Sequence, residues 1–240
     1  VFYVGLSDAA FQYSILFHEL VRLRKMVRDR DYAAPKRFLD RVKLISAAQR
    51  RWNSESVIQL MPEDRLEPDK GDEGAATSIA TTTDEFILGH ELAHHYLGHT
   101  SQIDSVLLNL KTSGPSVFQQ WDIFPESWKR EFNADSAAIG IILGGTRNTV
   151  RKRFVNAALG AMLTMTILGQ MDDDVDSGSD SHPPVRLREE NIVATLRAVQ
   201  EHPPDDFEAI VKDIRNFQRV LFREQGLGLG KPVSIPPPTG

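Results

Sequence analysis

The stretch Phe86-Ile87-Leu88-Gly89-His90-Glu91-Leu92-Ala93-His94 sets Phe86 and Ile87 about one turn before His90 and puts His90 and His94 at positions i and i+4. Residues four apart share a helix face, so both imidazoles project the same way and can hold one zinc ion at ~2.0–2.1 Å per nitrogen. Glu91 lies about 100° round the helix, beside the metal rather than on it. There a carboxylate can take a proton from an activated water and later deliver it to a leaving amine. A structural zinc site needs no such base and tends to use a fourth protein ligand, whereas a catalytic site takes three and keeps one position open.

The third ligand must come from elsewhere in the chain. With no cysteine among the 240 residues, any metal falls to His, Asp or Glu. His95 points about 100° away from His94. His99, five residues past His94, reaches the metal only if the helix ends abruptly, and Gly98 comes too late to turn the chain for it. Zincins with a third histidine need a glycine and then a histidine where this sequence has Leu97 and Thr100. The remaining candidate is Glu131 in Arg130-Glu131-Phe132-Asn133-Ala134-Asp135. Glu131 and Asp135 are again i and i+4, so one carboxylate can complete a His, His, Glu set. Asp135 can accept a hydrogen bond from the far nitrogen of a ligating histidine, fixing its tautomer.

Three segments in order, His90-Glu91-Leu92-Ala93-His94 with His99 following, Arg130 to Asp135, and Ser181-His182-Pro183-Pro184-Val185-Arg186, resemble the signatures of the CAAX-prenyl-protease and HtpX-like gluzincin metallopeptidases. The resemblance covers about residues 80 to 190. It implies a zincin-like peptidase acting on proteins or peptides, with His182 stabilising the oxyanion and Arg186 orienting or neutralising the carboxylates around the site. The best-known members of that family are membrane enzymes with several spans. This chain has one borderline apolar stretch, Phe154 to Met171, which reads as a buried helix. A soluble, cytoplasmic member is therefore expected, and prenylated substrates do not follow. The chain starts at Val1, so a removed targeting segment stays open. Bacterial phage-exclusion peptidases and other soluble gluzincins share the first motif.

Composition agrees with a soluble globular protein: 41% hydrophobic, 25% charged, net charge −5. That balance speaks against a nucleic-acid binder. The charge is uneven, since residues 1 to 51 hold 11 Lys and Arg against 5 Asp and Glu. A rival reading follows, a zinc-stabilised helical binding module whose basic N-terminal helices contact an anionic partner.

The fold expected is mostly α, a single domain over residues 1–225 ahead of a flexible Gly/Pro tail at 226–240. Helices are expected from Ser7 or Asp8 to about Arg30, Lys36 to about Leu60, Asp84 to about His99, Pro125 to Leu143, 148 to 169, and twice more after Pro184. Met61 to Ala76 reads as a loop and Leu107 to Gly114 as a connection. The β-branched run Thr77 to Thr83 reads as a small edge strand able to pair with an extended peptide. The Asp172 to Asp180 loop lacks the glycine and terminal glutamate of a calcium loop. With the tail, it motivates a peptidase held latent until a partner moves a segment.

Overall fold

A computed structural model describes residues 2–55, 63, 65–99, 124–144, 151–171, 178–199, 204 and 206–225. These residues form seven helices: α1 (Phe2–Arg28), α2 (Ala34–Glu55), α3 (Glu73–Tyr96), α4 (Glu126–Leu143), α5 (Arg151–Met171), α6 (Val185–Val199) and α7 (Phe207–Gln225). One cluster of buried apolar side chains draws on all seven, from Leu16 of α1 and Phe38 of α2 to Phe217 of α7. At its centre lies α5, whose Phe154, Ala157, Ala158, Ala161, Met162, Met165 and Ile167 are fully enclosed. Among the described residues α5 alone is long and apolar enough to cross a membrane, and 72% of its apolar window is buried inside the protein. A helix covered by its own chain on most sides behaves as a core element.

No strand occurs among the described residues, and the expected edge strand at Thr77 to Thr83 is a correction. That run lies inside α3, which starts at Glu73, within the stretch read as a loop. The threonines settle there because their hydroxyls donate back to the preceding turn. Thr81 donates to the Thr77 carbonyl at 2.9 Å and Thr82 to the Ile79 carbonyl at 2.7 Å. The bonds leave the hydroxyls satisfied inside the helix, and Ala75, Ala76 and Ala80 are strong helix formers in the same stretch. No peptide can therefore add to a strand at this place. Thr82 also marks a close helix crossing, since a Cβ at Gly160 of α5 would meet the Thr82 carbonyl oxygen at 2.1 Å. Glycine there lets α5 lie directly against α3.

The basic N-terminal block is partly compensated within the fold. Arg22 pairs with Asp72, Arg37 with Asp31, Arg41 with Glu19 at 3.1 Å and Lys36 with Asp40 at 2.8 Å. The Leu107 to Gly114 connection, most of the Asp172 to Asp180 loop and the tail at 226–240 lie outside the described residues.

Candidate metal centre

Small residues bring α3 and α4 together. Gly89 sits where a Cβ would be 3.4 Å from Ala138, and Ala93 packs with Ala134 and Ala137 in a separate buried cluster. Ala93 precedes His94, and Ala134 lies between Glu131 and Asp135, so the two helices approach closely where their polar side chains face each other. Short Glu and Asp side chains of α4 can then reach the imidazoles of α3.

Three ligand atoms converge there. His90 Nε2 and His94 Nε2 are 3.0 Å apart, His94 Nε2 is 3.2 Å from Glu131 Oε1, and His90 Nε2 is 3.5 Å from Glu131 Oε2. A tetrahedral zinc with bonds of ~2.0–2.1 Å sets its ligand atoms about 3.3 Å apart. The cradle is thus sized for such an ion, and two imidazoles with a carboxylate form a donor set zinc accepts. His90, His94 and Glu131 can hold a metal ion.

Behind the cradle lies a buried salt-bridge network. Asp135, fully enclosed, accepts from His90 Nδ1 at 2.9 Å, from Arg188 Nη2 at 2.7 Å on the same oxygen, and from Arg188 Nε at 2.9 Å on the other. The Asp135 bond keeps a proton on His90 Nδ1, so that Nε2, which faces Glu131 and His94, is the nitrogen a metal ion would take. Arg188 of α6 also stands 3.3 Å from Glu131 through Nη1, bridging both carboxylates. Burial opposes ionisation of Glu131, but hydrogen bonds from His90 and His94 and the Arg188 charge outweigh it and hold the group well below the usual carboxylate range. Asp135 is likewise held low against its burial, by Arg188 and His90. Burial disfavours a proton on His90, yet Asp135 and Glu131 lift its pKa to about 9. Two carboxylates against one guanidinium favour a second positive charge there, which the His90 proton supplies in the metal-free chain.

Glu91 is exposed on α3 beside the cradle. His182 is exposed in the loop before α6, its Nδ1 2.8 Å from the Ser181 hydroxyl, its backbone N–H donating to Ser179 Oγ at 3.0 Å. That loop is clipped to the first turn of α4, where Trp128 Nε1 donates to the Ser179 carbonyl at 2.8 Å and Ser127 Oγ to the Asp180 carbonyl at 2.7 Å. Among the described residues no hydrogen bond or ion pair joins His182 to the cradle. Arg186 lies half-buried on α6, 4.0 Å from Glu190, and the arginine that meets Glu131 and Asp135 is Arg188.

His99 and Gly98 differ from expectation. Helix α3 ends at Tyr96, and Gly98 adopts φ 73°, a left-handed conformation open to glycine at little cost. Gly98 thereby turns the chain, and His99 folds back until its Nδ1 lies 3.0 Å from His94 Nδ1. His99 reaches the far side of a ligand rather than the cradle. Burial first, then the neighbouring His94 and Arg130, pushes its pKa down to about 4, so its ring is neutral near pH 7.

No curated protein and no solved structure matches this sequence. The Peptidase U49 family profile matches residues 9–207, a span containing the three helices that build the cradle, and the chain belongs to the peptidase U49 family.

Proposed function

We propose that this peptidase is a zinc-dependent endopeptidase of the gluzincin type, hydrolysing peptide bonds of protein or peptide substrates. The observation that carries the reading is the convergence of three side chains, His90 Nε2 lying 3.0 Å from His94 Nε2, Glu131 Oε1 3.2 Å from His94 Nε2 and Glu131 Oε2 3.5 Å from His90 Nε2, beside the exposed carboxylate of Glu91. Zinc held there supplies Lewis acidity and brings the pKa of an attacking water to ~7.

The chain's own groups then have distinct work. Glu91 takes the water's proton as its oxygen bonds to the scissile carbonyl carbon, and passes that proton to the amine nitrogen when the carbon–nitrogen bond breaks. His182, with Nδ1 engaged by Ser181, keeps Nε2 for the carbonyl oxygen as negative charge grows on it. Asp135 orients His90. Arg188 holds both carboxylates in register and balances their charge, the task the sequence resemblance attached to Arg186. Among the described residues the elements that carry the site are helices.

Glu91→Gln tests the assignment on a peptide library, with bound zinc measured in parallel. Zinc content should match the parent while cleavage falls by about 10²–10⁴-fold. Cleavage at the parent rate would remove Glu91 from the mechanism.

A further inference from the structure

The two imidazoles of the cradle are supported differently. A histidine that offers Nε2 to a metal must carry its proton on Nδ1, and that N–H requires an acceptor. For His90 the acceptor is the Asp135 carboxylate at 2.9 Å. For His94 the only group in hydrogen-bond contact with Nδ1 among the described residues is His99 Nδ1, at 3.0 Å. A neutral imidazole has one lone pair and one proton. If His99 carries its proton on Nε2, its Nδ1 lone pair receives the His94 Nδ1–H.

The helix end delivers His99 to this point. With Gly98 in the left-handed conformation, the His99 backbone N–H donates to the His94 carbonyl at 2.9 Å and the Gly98 N–H to the His95 carbonyl at 3.2 Å. These are the paired bonds of a Schellman motif, which brings the residue after the left-handed glycine back onto the residue five positions earlier. Here those residues are His99 and His94. The rings meet edge to face, with centroids 5.1 Å apart. The motif that ends the helix therefore also seats an acceptor behind a ligand.

We infer that His99 is a positioning residue, accepting the Nδ1–H of His94 and so holding the His94 Nε2 lone pair towards the metal cradle. This rests on the zinc reading of the cradle, and the test separates the two. In the full chain, zinc affinity is measured by chelator competition for the parent, His99→Phe and His99→Gln, together with the cobalt-substituted absorption spectrum and the urea midpoint of each metal-free form. Phenylalanine keeps a ring and removes the acceptor, whereas glutamine keeps an acceptor oxygen without the ring. The expected result is zinc binding weakened by about 10–100-fold in His99→Phe, recovery towards the parent in His99→Gln, and a cobalt spectrum altered only in the phenylalanine variant. A purely packing role predicts the reverse order, with the phenylalanine variant retaining affinity and the glutamine variant losing both affinity and urea midpoint. That order overturns the inference, as do equal affinities in all three chains or equal losses in both variants. Absence of zinc binding by the parent instead removes the cradle reading, and the inference with it.

Discussion

The apolar centre around α5 and the polar centre between α3, α4 and α6 are both buried, and opposite physics governs them. In α5, Phe154, Met162, Met165 and Ile167 are wholly enclosed, each full side chain contributing about 1.5–3 kcal/mol through removal of apolar surface from water. Its buried hydroxyls are satisfied within the helix, Thr164 donating to the Gly160 carbonyl at 2.8 Å and Thr166 to the Met162 carbonyl at 2.9 Å. The polar centre instead encloses Glu131, Asp135 and Arg188. Burying charged groups costs several kcal/mol per ion, and such networks often contribute no more to stability than well-packed apolar residues. Stability explains α5. It gives no reason for the polar cluster, and a chemical task does.

The contrast can be broken from either side. Arg188→Leu should have the larger effect, because it leaves Glu131 and Asp135 buried without their counter-charge. A loss of about 3–5 kcal/mol in the urea unfolding of the metal-free chain is expected, with part recovered in excess zinc. An unchanged midpoint would mean that the guanidinium is not what balances the carboxylates. Ile167→Val should cost only about 0.5–1.5 kcal/mol and leave zinc affinity at the parent value. A fall in zinc affinity there would show that the two centres are coupled.

Local geometry made much of the site legible from sequence. His90 with His94, and Glu131 with Asp135, are i, i+4 pairs, and helical spacing alone orients each pair. That the two pairs face each other is tertiary, and depends on Gly89, Ala93, Ala134 and Ala138 allowing close approach. Arg186 and Arg188 stand on different sides of α6. Two positions apart on a helix they diverge by about 200°, and the apolar spacing Val185, Ile192, Leu196 places position 188 on the inward face. Applying that periodicity to α6 would have selected Arg188. Thr77 to Thr83 differ for another reason, since β-propensity depends on context and the burial of Ala76, Ala80, Thr82 and Thr83 settles this run in a helix. On a continuing helix His99 would point away from His94, whereas Gly98 redirects the chain and returns it.

We propose that His90, His94 and Glu131 hold one catalytic zinc. The most direct test adds zinc stepwise to the metal-free chain while bound metal and peptide cleavage are both recorded. The expected result is one tight zinc per chain, with cleavage absent at the start, rising in proportion to occupancy and levelling at one equivalent. Full cleavage by the zinc-free chain, insensitive to added zinc or chelator, would contradict it.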